Sequence, residues 1–140
     1  MRQGSELAIV VEKWVRKADH DFRSAIHLLS IAEDCPYDTI CFHAQQSVEK
    51  LLKAYLIAIG ADAPRTHDLV DLATLIPNEY QIILSTDDLA LLNPYSIESR
   101  YPGFYEEITR LDSERALVAM TRVREVLLPS LKKIGFSADT

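Results

Sequence analysis

Apolar residues return every three or four positions near the start of the chain, at Leu7, Val11, Trp14, Ala18, Phe22, Ala25 and Leu29. That spacing lines them up on one stripe and predicts a helix over about 5–30 with a single buried face. The connector Glu33-Asp34-Cys35-Pro36-Tyr37 ends it, because proline disfavours helical backbone in the residue before it. A second long helix is predicted from about 38 to 59, with Gly60 placed to close it in the left-handed conformation. Ile40, Cys41, Ala44, Val48, Leu51, Leu52, Tyr55, Ala58 and Ile59 share half of its wheel. His43, Gln46, Glu49, Lys50 and Lys53 gather on an opposing arc, about 120° wide at 100° per residue. Phe42, Leu56 and Ile57 fall near or within the polar side, and extra apolar positions of that kind point to contact with a partner or another helix.

Thr66 is a good N-cap for a short third helix over 67–76, which Pro77-Asn78 stops. Two short turns are expected at 79–84 and 87–92. The stretch 93–103 carries two prolines and a glycine and reads as a long ordered loop, a kind of segment that is often functional. The last long helix is predicted to start near Asp112 as its cap, with Leu117, Met120, Val123, Leu127 and Leu131 turned inward and a kink at Pro129. A frayed tail is expected after Lys133, and no strand is predicted. The expectation is all-α: an antiparallel up-and-down bundle of three long helices plus one or two short ones. One domain spans 1–140, with its core over about 5–134.

Composition narrows the function more than the fold. A 140-residue chain with 48% hydrophobic and 26% charged residues is large enough to bury a core without metal or disulfide staples. Its net charge of −6 argues against generic binding to nucleic acid or anionic membrane. Residues 1–60 hold 7 basic and 8 acidic groups, and 61–140 hold 8 and 13. An anion site therefore belongs in the first half or at the junction. Cys35 and Cys41 form no Cys-x-x-Cys pattern, so no metal or cofactor is expected, and Cys41 reads as a small core hydrophobe. No run reaches the roughly 18 apolar residues of a membrane span, and the amino terminus does not resemble a signal peptide. A cytoplasmic protein is expected.

Four groups of residues carry candidate chemistry. Lys13, Arg16, Lys17, His20, Arg23 and His27 run along one face of the first helix, either as a solvated face or as a docking strip for an acidic partner or a phosphate. His20 and His27 stand about 10 Å apart along the axis, too far to share one metal. The arc His43, Gln46, Glu49, Lys50 and Lys53 offers donors, acceptors and a titratable ring on one surface, though Glu49 and Lys53 also make an ordinary i,i+4 pair. Arg65-Thr66-His67-Asp68 sits where a helix N-terminus offers unpaired N–H groups to an anion, or merely complements the helix dipole. In the later loop, Arg100 between Tyr95 and Tyr101 would hold a phosphate or stack on a base, or be pinned by backbone carbonyls. There is no glycine-rich phosphate loop, nucleophile elbow, His-Glu-x-x-His or carboxylate pair spaced for two metals.

Trp14-x-x-Lys17-Ala18-x-x-Asp21-x-x-x-Ala25-x-x-Leu28-Leu29, Cys41-Phe42-His43-Ala44-Gln45-Gln46-x-x-Glu49-Lys50-x-x-Lys53-Ala54, Arg65-Thr66-His67-Asp68-Leu69, and Tyr95 with Arg100-Tyr101-Pro102 together resemble a prokaryotic HEPN domain over roughly 10–130. The resemblance implies a helical bundle that commonly pairs into homodimers. It also implies a role beside a minimal nucleotidyltransferase, in systems of toxin–antitoxin type. Other members are metal-independent ribonucleases with an Arg, four to six intervening residues, then a His. Here Arg16–His20 and Arg23–His27 have three residues between them and Arg65–His67 has one. That departure favours an accessory protein that binds a partner, a nucleotide or both over an enzyme. A ribonuclease with a displaced Arg/His site and a ligand-free structural bundle are the alternatives. The ligand pocket is expected at His43, Gln46, Glu49, Lys50, Lys53, Arg65, His67, Tyr95, Arg100 and Tyr101, with no catalytic residue or metal ligand assigned.

Overall fold

The two apolar stripes become two long helices laid side by side, α1 (Arg2–Leu28) and α2 (Tyr37–Ala58). A short α3 (Leu69–Thr74), a short α4 (Thr86–Leu92) and a long α5 (Arg110–Lys133) follow, with 3-10 turns at Asn78–Tyr80 and Asn93–Tyr95. The computed structural model describes residues 2–96 and 107–136. Among these there is no strand, and no helix is long and apolar enough to cross a membrane. The result is the expected all-α bundle of three long helices and two short ones.

α2 is the central helix, packed by α1 along one side, α5 along another and α3 near its end. On α1, Val11, Val15, Ala18 and Ala25 are fully buried, while Trp14 and Phe22 are half-buried at the edge. Small residues let α1 and α2 approach closely enough for Ser47 Oγ to donate to the Ala18 carbonyl at 2.9 Å. Because α2 is enclosed on several sides, its apolar arc is wider than half a wheel. Leu56 is fully buried and Ile57 packs partly on the core, so neither needs the outside partner that its wheel position implies.

Both long helices with a glycine after them end in the same way. Gly60 has φ +79°, its N–H donates to the Ile57 carbonyl at 3.0 Å, and the Ala61 N–H reaches Leu56 at 2.9 Å. Gly135 has φ +100° and makes the equivalent bond to Lys132, while Phe136 bonds Leu131. This paired closure satisfies carbonyls that would otherwise be left open, and glycine adopts the left-handed backbone without a Cβ clash. The expected frayed tail is therefore corrected through Phe136, which packs with Ile134 against the core. Residues 137–140 lie outside the described residues.

Two boundary expectations change for local reasons. Asp68, and not Thr66, caps α3, its carboxylate accepting from the N–H groups of Val70 and Asp71; Thr66 Oγ accepts from Asp68 N–H instead. α5 starts two residues before Asp112. Thr109 is its cap, and Asp112 closes a capping box by accepting from the Thr109 N–H at 2.9 Å. α5 runs on through Pro129 to Lys133, and both Pro129 and Glu125, whose carbonyl loses its donor, face solvent.

Leu51 lies at the centre of this packing with no exposed surface. Leu51→Ala should lower unfolding free energy by about 2–5 kcal/mol, read from urea denaturation followed by circular dichroism. A loss under about 1 kcal/mol would mean that α2 is not the centre of the core.

Candidate functional site

The polar arc of α2 faces α1 on one side and the loop before α3 on the other, and each side supplies the missing half of a charged cluster. From α1, Asp21 projects between His43 and Lys50. Its Oδ1 lies 2.7 Å from His43 Nδ1, and its Oδ2 accepts from Lys50 Nζ at 2.5 Å. One turn along, Glu49 repeats the arrangement. Its Oε1 lies 2.8 Å from Nδ1 of His67 in the loop, and its Oε2 accepts from Lys53 Nζ at 3.1 Å. Gln45 Nε2 also donates to Glu49, at 3.1 Å, and to the His67 carbonyl, while its own Oε1 accepts from Gln46. Each trio is thus a buried carboxylate bridging an imidazole and an ammonium.

This geometry sets the rings. A carboxylate only accepts, so the neutral imidazole keeps its proton on Nδ1 and presents a lone pair at Nε2. Burial pushes the Asp21 carboxyl up, but the hydrogen bonds and charges of His43 and Lys50 outweigh it and hold the group below the usual aspartate range. Burial acts the same way on Glu49, and Gln45, His67 and Lys53 reverse it.

Beside the trios, a cleft of about 400 Å³ opens between α1 and α2, lined by Val10, Lys13, Trp14, Lys17 and Lys50. Lys53 Nζ sits 5.9 Å from the centre of the Trp14 ring, which ties the Glu49 trio to the cleft wall. No acidic side chain lines it.

The structure brings together His43, Gln46, Glu49, Lys50, Lys53 and His67 from the expected pocket. Arg65 is exposed in the adjoining loop. Tyr95 does not join them: its hydroxyl bonds the buried Cys41 thiol, and burial pushes its pKa up to about 12. Arg100 and Tyr101 lie outside the described residues. The start of α3 is not an open anion seat, because Asp68 occupies the N–H groups of Val70 and Asp71 while Asn93 Oδ1 takes that of Leu69 at 2.8 Å. Asp21, Gln45 and Trp14 complete the site, although the sequence pattern did not assign them to it, and the cleft wall at Lys13 and Lys17 comes from the basic face of α1 that the sequence offered as a separate docking strip. The available signal was that Trp14 and Asp21 lie in the first family-like segment and Gln45 beside His43 in the second. Among the described residues, no group of three His, Cys, Asp or Glu is arranged to hold a metal ion.

A helical bundle with its polar residues concentrated on a central helix defines the class, and likeness to known proteins places it further. The HEPN domain family profile matches residues 11–133, so this chain belongs to the HEPN domain family. It is similar to the crystal structure of TT1696 from Thermus thermophilus, with 27% identity and a TM-score of 0.74 over 86% of this chain and 98% of that one. It is also similar to ST0689, an archaeal HEPN homologue, with 26% identity and a TM-score of 0.65 over 89% of this chain and 97% of the other. No curated protein sequence matches it.

Two carboxylates whose folded pKa values are depressed stabilise the fold above their unfolded values, about 4. That contribution is lost as pH falls through the lower folded values. The urea midpoint should therefore drop as pH goes from about 5 to about 2. Asp21→Asn combined with Glu49→Gln should be less stable at pH 7 and should show a flatter drop. Equal slopes for the two proteins would remove these carboxylates from the acid response.

Proposed function

We propose that this HEPN protein is an accessory factor without a reaction of its own. In this reading it is a cytoplasmic homodimer that holds the phosphate of a nucleotide and docks a minimal nucleotidyltransferase partner, in a system of toxin–antitoxin type. The observation that carries the nucleotide half is the lysine-lined cleft, in which Lys13 and Lys17 are exposed and Lys50 is shared with Asp21. In a chain of net charge −6, three lysines, Lys13, Lys17 and Lys50, surround one half-buried indole. Ammonium groups neutralise phosphate through charge-assisted hydrogen bonds, and an indole edge or face gives a base something to pack on. Arg65 is exposed two residues before His67 and adds a positive group in the adjoining loop. Partner docking and pairing rest on the family likeness of the residues themselves.

A second reading has one observation in its favour. Two imidazoles, each aligned by a carboxylate, are the form that a general base takes, and they favour the displaced-site ribonuclease. Metal-free cleavage of single-stranded RNA that disappears in His43→Ala or His67→Ala would promote it. Intact RNA with the wild-type protein would retire it.

Trp14 is the chain's single tryptophan, so its fluorescence reports on the cleft alone. Titration with nucleoside triphosphates should change that emission, with weaker binding as salt rises. Lys13→Ala with Lys17→Ala, both exposed positions, should weaken binding by about tenfold or more and leave the helical circular dichroism unchanged. No response up to about millimolar nucleotide would remove the nucleotide half of the reading and leave partner docking.

A further inference from the structure

Between the 3-10 turn at Asn78–Tyr80 and α4, residues 81–85 form no helix; Gln81 opens the segment in the left-handed region at φ +54°, and Ser85 leaves it with extended backbone. Its side chains alternate. Ile82 and Leu84 turn inward over a groove of about 180 Å³ that Val70 and Ala73 of α3 and Leu89 of α4 also line. Ile83 turns outward and is 83% exposed, the most exposed large apolar side chain among the described residues. That alternation is the side-chain pattern of a β-strand. The backbone N–H and C=O groups of Ile82, Ile83 and Leu84 bond no other group of the described residues. An isolated segment of this kind, with an apolar residue held out at its centre, presents the same unpaired ladder as the edge of a sheet.

We propose that residues 82–85 are a docking strand that takes an extended peptide of alternating apolar and basic residues, added edge to edge. The charge around the strand selects the occupant. From residue 66 to residue 99 the sequence holds no Lys or Arg. Asp71, Glu79 and Asp87 are exposed around the segment, whereas Asp68 is used as a cap and Asp88 pairs with Arg122 at 3.3 Å. A second copy fits poorly. Antiparallel pairing centred on Ile83 would bring Glu79 of one chain toward Asp87 of the other, and like charges placed opposite each other destabilise a pair. A basic strand answers the same acids, while its apolar residues cover Ile83. Backbone hydrogen bonds then supply affinity and the alternate side chains supply selectivity. The inference does not depend on the nucleotide reading, which concerns a surface of opposite charge on α1 and α2.

The test uses the full chain and a fluorescein-labelled peptide, Lys-Val-Lys-Val-Lys-Val-Lys, followed by anisotropy. Binding is expected, weakened about tenfold by Ile83→Ser and by Glu79→Gln with Asp87→Asn. A peptide of the same sequence methylated on alternate backbone nitrogens keeps the charge and side chains but loses the ladder, and it should bind at least about tenfold more weakly. Ile83 is exposed, so its substitution leaves the core intact, which circular dichroism verifies. Equal binding of the methylated peptide would show simple adsorption of a cation and overturn the proposal. So would equal binding by the neutralised variant, or no binding up to about millimolar. Sedimentation closes the remaining route: a dimer that Ile83→Ser converts to monomer would assign the strand to self-pairing and overturn the proposal.

Discussion

A carboxylate taken out of water must be met by positive charge and hydrogen bonds, or it will not stay ionised. Asp21 and Glu49 are both buried, and most of the organisation around α2 follows from that demand. Asp21 belongs to α1 and is answered by His43 and Lys50 of α2. Glu49 belongs to α2 and is answered by Lys53 on the same helix and His67 from the loop. One trio therefore fastens α1 to α2, and the other fastens the segment leading into α3. The polar arc of α2 is consequently an internal seam as much as a surface. Its residues do not stand free to greet a ligand; they are held in fixed positions by the two carboxylates.

Legibility in the sequence follows the range of the interaction. Helix periodicity is local, so the three long helices and the short α3 could be read from spacing, as could the left-handed closure at Gly60, whereas α4 is too short for a period and read only as a turn over 87–92. Caps were harder because neighbouring residues compete for the same N–H groups. At α3, Thr66 and Asp68 are both capable, and the carboxylate, placed two residues later, takes the first turn. At α5 the box needs Thr109 and Asp112 together, and an apolar pattern alone shows only where the buried stripe begins. Leu56 was misplaced because a wheel assumes one buried face, whereas α2 is enclosed by several neighbours. The site was half legible. His43, Gln46, Glu49, Lys50, Lys53 and His67 do cluster, but Asp21 looked like one more acid on a mixed-charge helix. Its role depends on a contact with a residue 22 positions away, which no periodicity encodes.

Charge is segregated in the folded molecule more sharply than in the chain. The lysines of α1 and α2 surround Trp14, while the stretch through α3 and α4 is free of Lys and Arg and leaves acids exposed around residues 81–85. Opposite potentials on different elements repel opposite classes of ligand, and like-charge repulsion is an inexpensive form of selectivity. A small all-α domain thereby carries two distinct faces without a second domain to house one of them.

The hydrogen bond from Ser47 to the Ala18 carbonyl has a mechanical consequence. It lies between Trp14 and Asp21 along α1 and joins the two helices directly. Sliding α1 by one helical turn, about 5.4 Å, would strip Asp21 from between His43 and Lys50. The same slide would carry Trp14 away from Lys53 and part the hydroxyl from its carbonyl. These contacts share one register and would be lost together, so intermediate displacements have nothing to settle into. α1 and α2 are thus geared to each other like a key seated in its slot, and the cleft between them keeps its shape because neither helix can creep.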